Sequence, residues 1–125
     1  VTKRVGNNWY SMLMENGKLE LEVASSSPTY YNLSAHSVSI NNGTPHFIVG
    51  LRGATDSKLY LTVDQITESF TDNTAGQTLT NTASFLLGYM DVYYNGVIGE
   101  VWFYNRALTA QEIQQIYLST KWRPQ

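Results

Sequence analysis

The stretch Asn95-Gly96-Val97-Ile98-Gly99-Glu100-Val101-Trp102-Phe103-Tyr104-Asn105-Arg106-Ala107-Leu108-Thr109-Ala110-Gln111-Glu112-Ile113 decides how the chain is read. Val97 to Tyr104 is dense in β-branched and aromatic residues and is expected to be a strand. Thr109-Ala110-Gln111-Glu112 is a capping box, in which the Thr hydroxyl and the Glu carboxylate each satisfy an amide that the first helical turn leaves orphaned. Leu108 and Ile113 stand where a hydrophobic staple would place them. Ile113, Ile116 and Tyr117 then make an apolar stripe able to dock on a sheet. The helix is short, with its end expected near Ser119. A strand running into one capped helix closes the chain.

Upstream, the clearest element is a hairpin. Asn16-Gly17 supplies the two positive-φ positions of a type I′ turn between Trp9–Met14 and Lys18–Val23. That turn sets the register: Met14 opposes Leu19, Met12 opposes Leu21, and Tyr10 opposes Val23, giving one apolar face. The other face carries Lys18, Glu20 and Glu22 as a solvated row, together with Ser11, Leu13 and Trp9. Trp9 and Leu13 are out of place there and want a cover or a ligand. Further strands are expected at Tyr30–Leu33, His36–Ile40, His46–Arg52, Lys58–Val63, Ile66–Phe70 and Ser84–Tyr89. Loops are expected at Asn41–Pro45 and over the polar stretch Thr71–Thr82. Short strands separated by turn signals, with one helix at the end, predict an all-β antiparallel two-sheet jelly-roll sandwich. At 125 residues the chain is one domain with one core.

The closing stretch resembles the signature of laminin-G-like domains of the concanavalin A-like superfamily. There a Gly-containing strand ends in Tyr-Asn-Arg-Ala-Leu and enters a Thr/Ser-x-x-Glu-capped helix. Lys58-Leu59-Tyr60-Leu61-Thr62-Val63-Asp64 is similar to the family's strand before a Val-Asp-Gly turn. His46-Phe47-Ile48-Val49 is similar to the strand that usually begins Trp-His-His-Val. Gln65, Pro45 and Gly99 depart from the pattern, standing where Gly, Trp and an acidic residue are common. The resemblance implies that Val101 and Phe103 point into the core while Glu100 and Trp102 face outward. It also implies one or two strands before a segment like Arg4–Tyr10. Either Val1 is then not the biological start, or another chain or domain covers the open edge, because an exposed edge invites pairing.

Composition narrows the function. Net charge is −2 and the basic residues are scattered, so no stripe is set to neutralise phosphates and a nucleic-acid partner is not expected. The absence of cysteine removes disulfides, thiolate nucleophiles and cysteine-bound metals. No apolar run is long enough to span a membrane as a helix. Some concanavalin-like folds hydrolyse glycosides, which requires two carboxyl groups flanking the scissile bond. Glu20 and Glu22 have the spacing on one strand, but alternating with Lys18 they read as a solvated face. His36 and His46 lack a nucleophile elbow or a second ligand at metal spacing. The expectation is a domain without catalytic residues.

Binding is the stronger expectation. Tyr89-Met90-Asp91-Val92-Tyr93-Tyr94-Asn95 gathers aromatic rings, which stack on sugar faces, with Asp and Asn groups that bind hydroxyls, in a loop of a rigid scaffold. The candidate contacts are therefore Trp9, Tyr89, Asp91, Tyr93, Tyr94, Asn95 and Trp102. Each has a structural alternative: Trp102 as a cover for the outer face, Trp9 as a packing contact within or between molecules, and the tyrosines as edge packing. No cofactor is expected; calcium is the one alternative, since the resemblance implies a rim site and Asp56, Asp64, Asp72 and Asp91 lie in or beside loops, although Gly99 stands where the family often has an acid. They form no dense ligand cluster of the kind calcium needs. The expected partner is a glycan or another protein subunit, in an extracellular, cell-surface or virion setting. Two readings follow, a lectin-like or adhesion module and a structural assembly domain of the capsid-decoration or fibre kind.

Overall fold

The computed structural model describes residues 1–5, 8–26, 29–90 and 92–120. The order is β1 (Thr2–Val5), β2 (Asn8–Glu15), β3 (Lys18–Ser26), β4 (Thr29–Ser39), β5 (Ile48–Arg52), β6 (Lys58–Val63), β7 (Ile66–Thr71), β8 (Phe85–Leu86), β9 (Tyr89–Met90), β10 (Val92–Tyr93) and α1 (Ala110–Thr120). They make a five-stranded sheet in the order β4-β3-β2-β1-β8, a three-stranded sheet β5-β6-β7, and a small ribbon β9-β10. All strand pairs are antiparallel. This is a concanavalin A-like sandwich with one short C-terminal helix.

The opening hairpin has the register the turn demands, with Tyr10 opposite Val23, Met12 opposite Leu21 and Met14 opposite Leu19. Asn16 and Gly17 take φ of 51° and 77°. Gly17 is held by space as well as by φ, because a Cβ there would sit 2.6 Å from the Asn41 side chain. Leu19, Leu21 and Val23 from the large sheet meet Leu59, Leu61 and Val63 from the small one, forming the buried core. Tyr10, Met12, Val38, Ile40, Phe70 and Leu79 pack around it. These are the alternate positions of two half-buried strands facing each other, as sheet pleat requires.

Polar ties stitch β4 to β7 along one side. His36 is fully buried. Its Nδ1 accepts the Val38 N–H at 3.1 Å, so Nε2 carries the proton and donates to the Ile66 carbonyl at 3.1 Å. Ser37 donates its N–H to Glu68 Oε2 at 3.0 Å and its hydroxyl to Glu68 Oε1. Those bonds hold the Glu68 carboxyl below its ordinary range.

Four expectations are corrected. Tyr30–Leu33 and His36–Ile40 belong to one long strand, β4, which absorbs its irregularity in a register shift opposite Lys18 and Glu20. A strand β1, not anticipated, pairs β2. Glu20 and Glu22 are buried, not solvated. They lie on β3, an interior strand of the five-stranded sheet flanked by β2 and β4, where Leu13 and Leu33 stand opposite them. The largest departure is at Val97–Tyr104, which joins no ladder. Val101 and Phe103 are 36% and 59% exposed instead of inward-facing. Without a neighbouring strand to accept its hydrogen bonds, nothing enforces the pleat that would sort alternate side chains.

The helix begins as its sequence dictates. Glu112 Oε2 accepts the Thr109 N–H at 2.8 Å while Thr109 Oγ1 accepts the Glu112 N–H at 3.2 Å. Arg106 adds a bidentate pair to Glu112 at 2.9 and 2.6 Å. The Arg106 and Thr109 bonds pull the Glu112 carboxyl down to about 2. Tyr117 meets Phe47 edge to face, ring centroids 5.5 Å apart, which docks α1 beside the start of β5.

Candidate functional site

The apolar side chains that the core does not use are concentrated in one ribbon, residues 85–104. It leaves the large sheet at β8, where Phe85 and Leu86 pair Lys3 and Thr2. Gly88 then turns the chain with φ 73°. β9 and β10 form a tight hairpin closed by the Tyr94 N–H donating to the Gly88 carbonyl at 2.8 Å. Tyr93 falls opposite Tyr89, and their rings lie 5.0 Å apart with a 50° tilt. Tyr93 is 85% exposed. The Tyr94 ring lies over Gly96, where a Cβ would approach it within 2.7 Å. Phe103 folds back to meet Phe85 edge to face at 4.2 Å between centroids. Val97 is 91% exposed, and Leu87, Ile98, Trp102 and Tyr104 are exposed as well.

Of the sequence-derived contacts, Tyr89, Tyr93, Tyr94, Asn95 and Trp102 therefore share this exposed ribbon. Asp91 lies outside the described residues. Trp9 is elsewhere, on β2, two strands in from β8. Its ring is capped by the Arg4 guanidinium 4.1 Å above the centroid, so that face is already occupied by a cation–π contact. The Trp122 tail considered as a cover also lies outside the described residues. Phe85 and Ile98 were missed as site residues by the sequence reading, although the apolar character of Phe85-Leu86-Leu87 before Gly88 and of Val97-Ile98 between Gly96 and Gly99 was a usable signal.

The described loop acids Asp56, Asp64 and Asp72 are each engaged by protein partners. Asp56 accepts from the Tyr60 hydroxyl and, at 3.2 Å, from the Lys58 N–H. Asp64 contacts His46 Nδ1 at 3.0 Å and accepts the Phe47 N–H at 3.1 Å. Asp72 receives Arg52 Nε at 2.6 Å and the Thr74 N–H at 2.7 Å. Among the described residues no three His, Asp or Glu side chains converge as a metal site would need. Glu22 accepts the Ser11 hydroxyl at 2.9 Å within the sheet.

Among the described residues, exposed large apolar side chains are most concentrated in this ribbon at the side of a two-sheet sandwich. The chain belongs to the laminin-G-type family of the concanavalin A-like lectin/glucanase superfamily, whose model matches residues 1–114. No curated protein sequence matches it significantly. Among solved structures it is similar to an S-layer domain-containing protein (residues 221–444) from Clostridium thermocellum, at 16% identity and a TM-score of 0.47. The match covers 90% of this chain and 58% of that one, and a superposition so loose bears on neither activity nor partner. No described helix is long and apolar enough to cross a membrane.

Proposed function

We propose that this is a non-catalytic adhesion module of a cell-surface or extracellular protein, and that it works by laying the 85–104 ribbon against a partner protein. One observation carries the reading. The segment from Phe85 to Tyr104 exposes large apolar side chains at many of its described positions, with Asp91 and Glu100 as its only charged residues. Soluble surfaces rarely leave such a patch wet, and patches of this kind mark interfaces. Residues 97–104 join no ladder, which adds a second attraction, since such a segment can pair with a strand from a neighbour. Aromatic anchors such as Trp102 and Phe103 would dominate the binding energy.

A second reading, saccharide recognition, is favoured by the tilted Tyr89–Tyr93 pair, which offers stacking faces beside the exposed Asn95. Light-scattering mass and a glycan array on the same samples separate the two. Assembly lost in Trp102→Ala or Val97→Asp, with no glycan bound, supports the adhesion reading. Glycan binding lost in Tyr93→Ala by a protein that stays monomeric supports the second. A monomer that binds neither overturns both.

A further inference from the structure

Asn-Gly occurs three times, at Asn16-Gly17, Asn42-Gly43 and Asn95-Gly96. Such a pair can close on itself, because glycine leaves its amide nitrogen unobstructed beside the asparagine carboxamide. We infer that Asn42-Gly43 is a self-modification site, where donors fixed by the fold carry the asparagine through a succinimide to aspartate and isoaspartate.

The donors converge on one atom. Asn42 Oδ1 accepts the Thr44 N–H at 3.0 Å, the Thr44 hydroxyl at 2.6 Å and the His46 Nε2–H at 2.9 Å. A backbone N–H can only donate, so it fixes the oxygen and not the nitrogen of the carboxamide on this side. His46 is aimed from behind. Its Nδ1 faces Asp64 Oδ2 at 3.0 Å, and Asp64 is anchored in turn by the Phe47 N–H at 3.1 Å. Both ring nitrogens meet acceptors, so the ring donates from each, and its positive charge is paired with Asp64. The bond to the Thr44 N–H is an Asx turn, which folds the Asn42 side chain over its own following peptide. Gly43 has φ of 77°, and nothing lies within 4 Å of where its Cβ would be.

The chemistry balances without an outside oxidant or reductant. The Gly43 nitrogen loses its proton to solvent and attacks Asn42 Cγ, closing a five-membered ring. Oδ1 takes up the negative charge of the tetrahedral intermediate, where the three donors already point, and hydrogen bonds to that charge are stronger than those to the parent carbonyl. Collapse re-forms the carbonyl and breaks the Cγ–Nδ2 bond. The leaving nitrogen gains a proton and departs as ammonia. Water then opens the ring at either carbonyl, so one water enters for each ammonia released. Asn42 is exposed, which gives both free passage.

The other two pairs are hindered. The Gly17 carbonyl holds the Ile40 N–H at 2.7 Å, and a Cβ at Gly17 would lie 2.6 Å from the Asn41 side chain. The Tyr94 ring lies over Gly96. They therefore serve as internal controls, and none of the residues at Asn42 belongs to the ribbon, so the result is independent of the adhesion reading.

The freshly purified whole chain is incubated at neutral pH, and peptide mass spectrometry follows the one-dalton gain and the isoaspartate fraction at each asparagine. Asn42 should convert faster than Asn16 and Asn95. It should also convert faster in the native protein than in the same chain unfolded in guanidinium chloride, whereas Asn16 should show the reverse. A donor in a closed oxyanion site is worth about 100- to 1,000-fold, and this one is partly open to water, so His46→Gln should slow Asn42 about tenfold and leave Asn16 unchanged. Conversion of Asn42 that is slower in the native chain than in the unfolded one, or no faster than at Asn16, overturns the inference, as does an unchanged rate in a folded His46→Gln variant. If that variant fails to fold, an unchanged rate in Thr44→Val, which removes the hydroxyl donor, overturns it instead.

Discussion

Replacing Glu20 by Gln should stabilise the domain at neutral pH and not at acid pH. Glu20 is buried near the start of β3, opposite Leu13 on β2 and Ala35 on β4, and its Oε2 has no hydrogen-bond partner. The groups facing it are carboxylates: Glu15 on β2, which hydrogen-bonds it, and Glu22 two residues along. Burial first, then the Glu15 and Glu22 charges, raise its pKa above the ordinary carboxylate value. A carboxyl whose folded pKa exceeds its unfolded one contributes stability while protonated, below the unfolded value, and loses it as pH rises through the folded value. An orphaned buried acceptor costs about 1–3 kcal/mol, and a position on a sheet face belongs at the low end. Glu20→Gln keeps the shape, sheds the charge and can donate to Glu15 without borrowing a proton. The expected gain is about 1 kcal/mol at neutral pH, shrinking towards zero near pH 4 where the parent is itself protonated. Urea midpoints followed by tryptophan fluorescence across that range measure it. A Gln variant less stable than the parent at pH 7, or an equal gain at both ends, refutes the reasoning.

Asp72→Asn should cost about 2 kcal/mol in urea unfolding, since it strips Arg52 of its buried counter-charge. Burial alone would raise the Asp72 pKa, but the Arg52 and Thr74 bonds outweigh it and hold the carboxyl low, so its stability is present above the unfolded value and fades as pH falls; the Asn variant should lose that acid-side dependence. Gly17→Ala should cost about 2 kcal/mol, combining positive φ with the Asn41 contact, and a variant as stable as the parent by thermal melting would contradict the turn geometry. Thr109→Ala should remove about 1 kcal/mol from the closing helix, read as faster amide exchange over residues 112–114. Tyr93→Ala should leave the melting temperature within about 1 °C, because that side chain buries little to lose.

What the sequence disclosed was whatever local chemistry dictates. Asn16-Gly17 set a turn, the turn set the register, and the register placed Leu19, Leu21 and Val23 in the core. Thr109 and Glu112 announced the helix start to the residue. Readings that depended on a neighbour fared worse. Alternation at Val97–Tyr104 describes a strand only if another strand is there to pair it. The solvated reading of Glu20 and Glu22 failed because period-2 patterning cannot tell the middle of a wide sheet from its edge. The tyrosine loop was visible as composition, but the Tyr89–Tyr93 pairing needed the Gly88–Tyr94 closure to create it. Nothing in the polar Thr71–Thr82 stretch pointed to Arg52, twenty residues upstream of Asp72, as its partner.

The seam between β4 and β7 has a dynamic consequence. Side-chain bonds from His36 and Ser37 bind the two sheets along one flank, while the ribbon side carries loosely packed apolar groups. Thermal fluctuations will therefore act on the sandwich as on a book bound at its spine: the pages part first at the ribbon. Amides of β3 and β6 should exchange on the timescale of global unfolding, and those of 97–104 orders of magnitude sooner. A partner seated on the ribbon would clasp the free side, so that binding and resistance to unfolding would rise together.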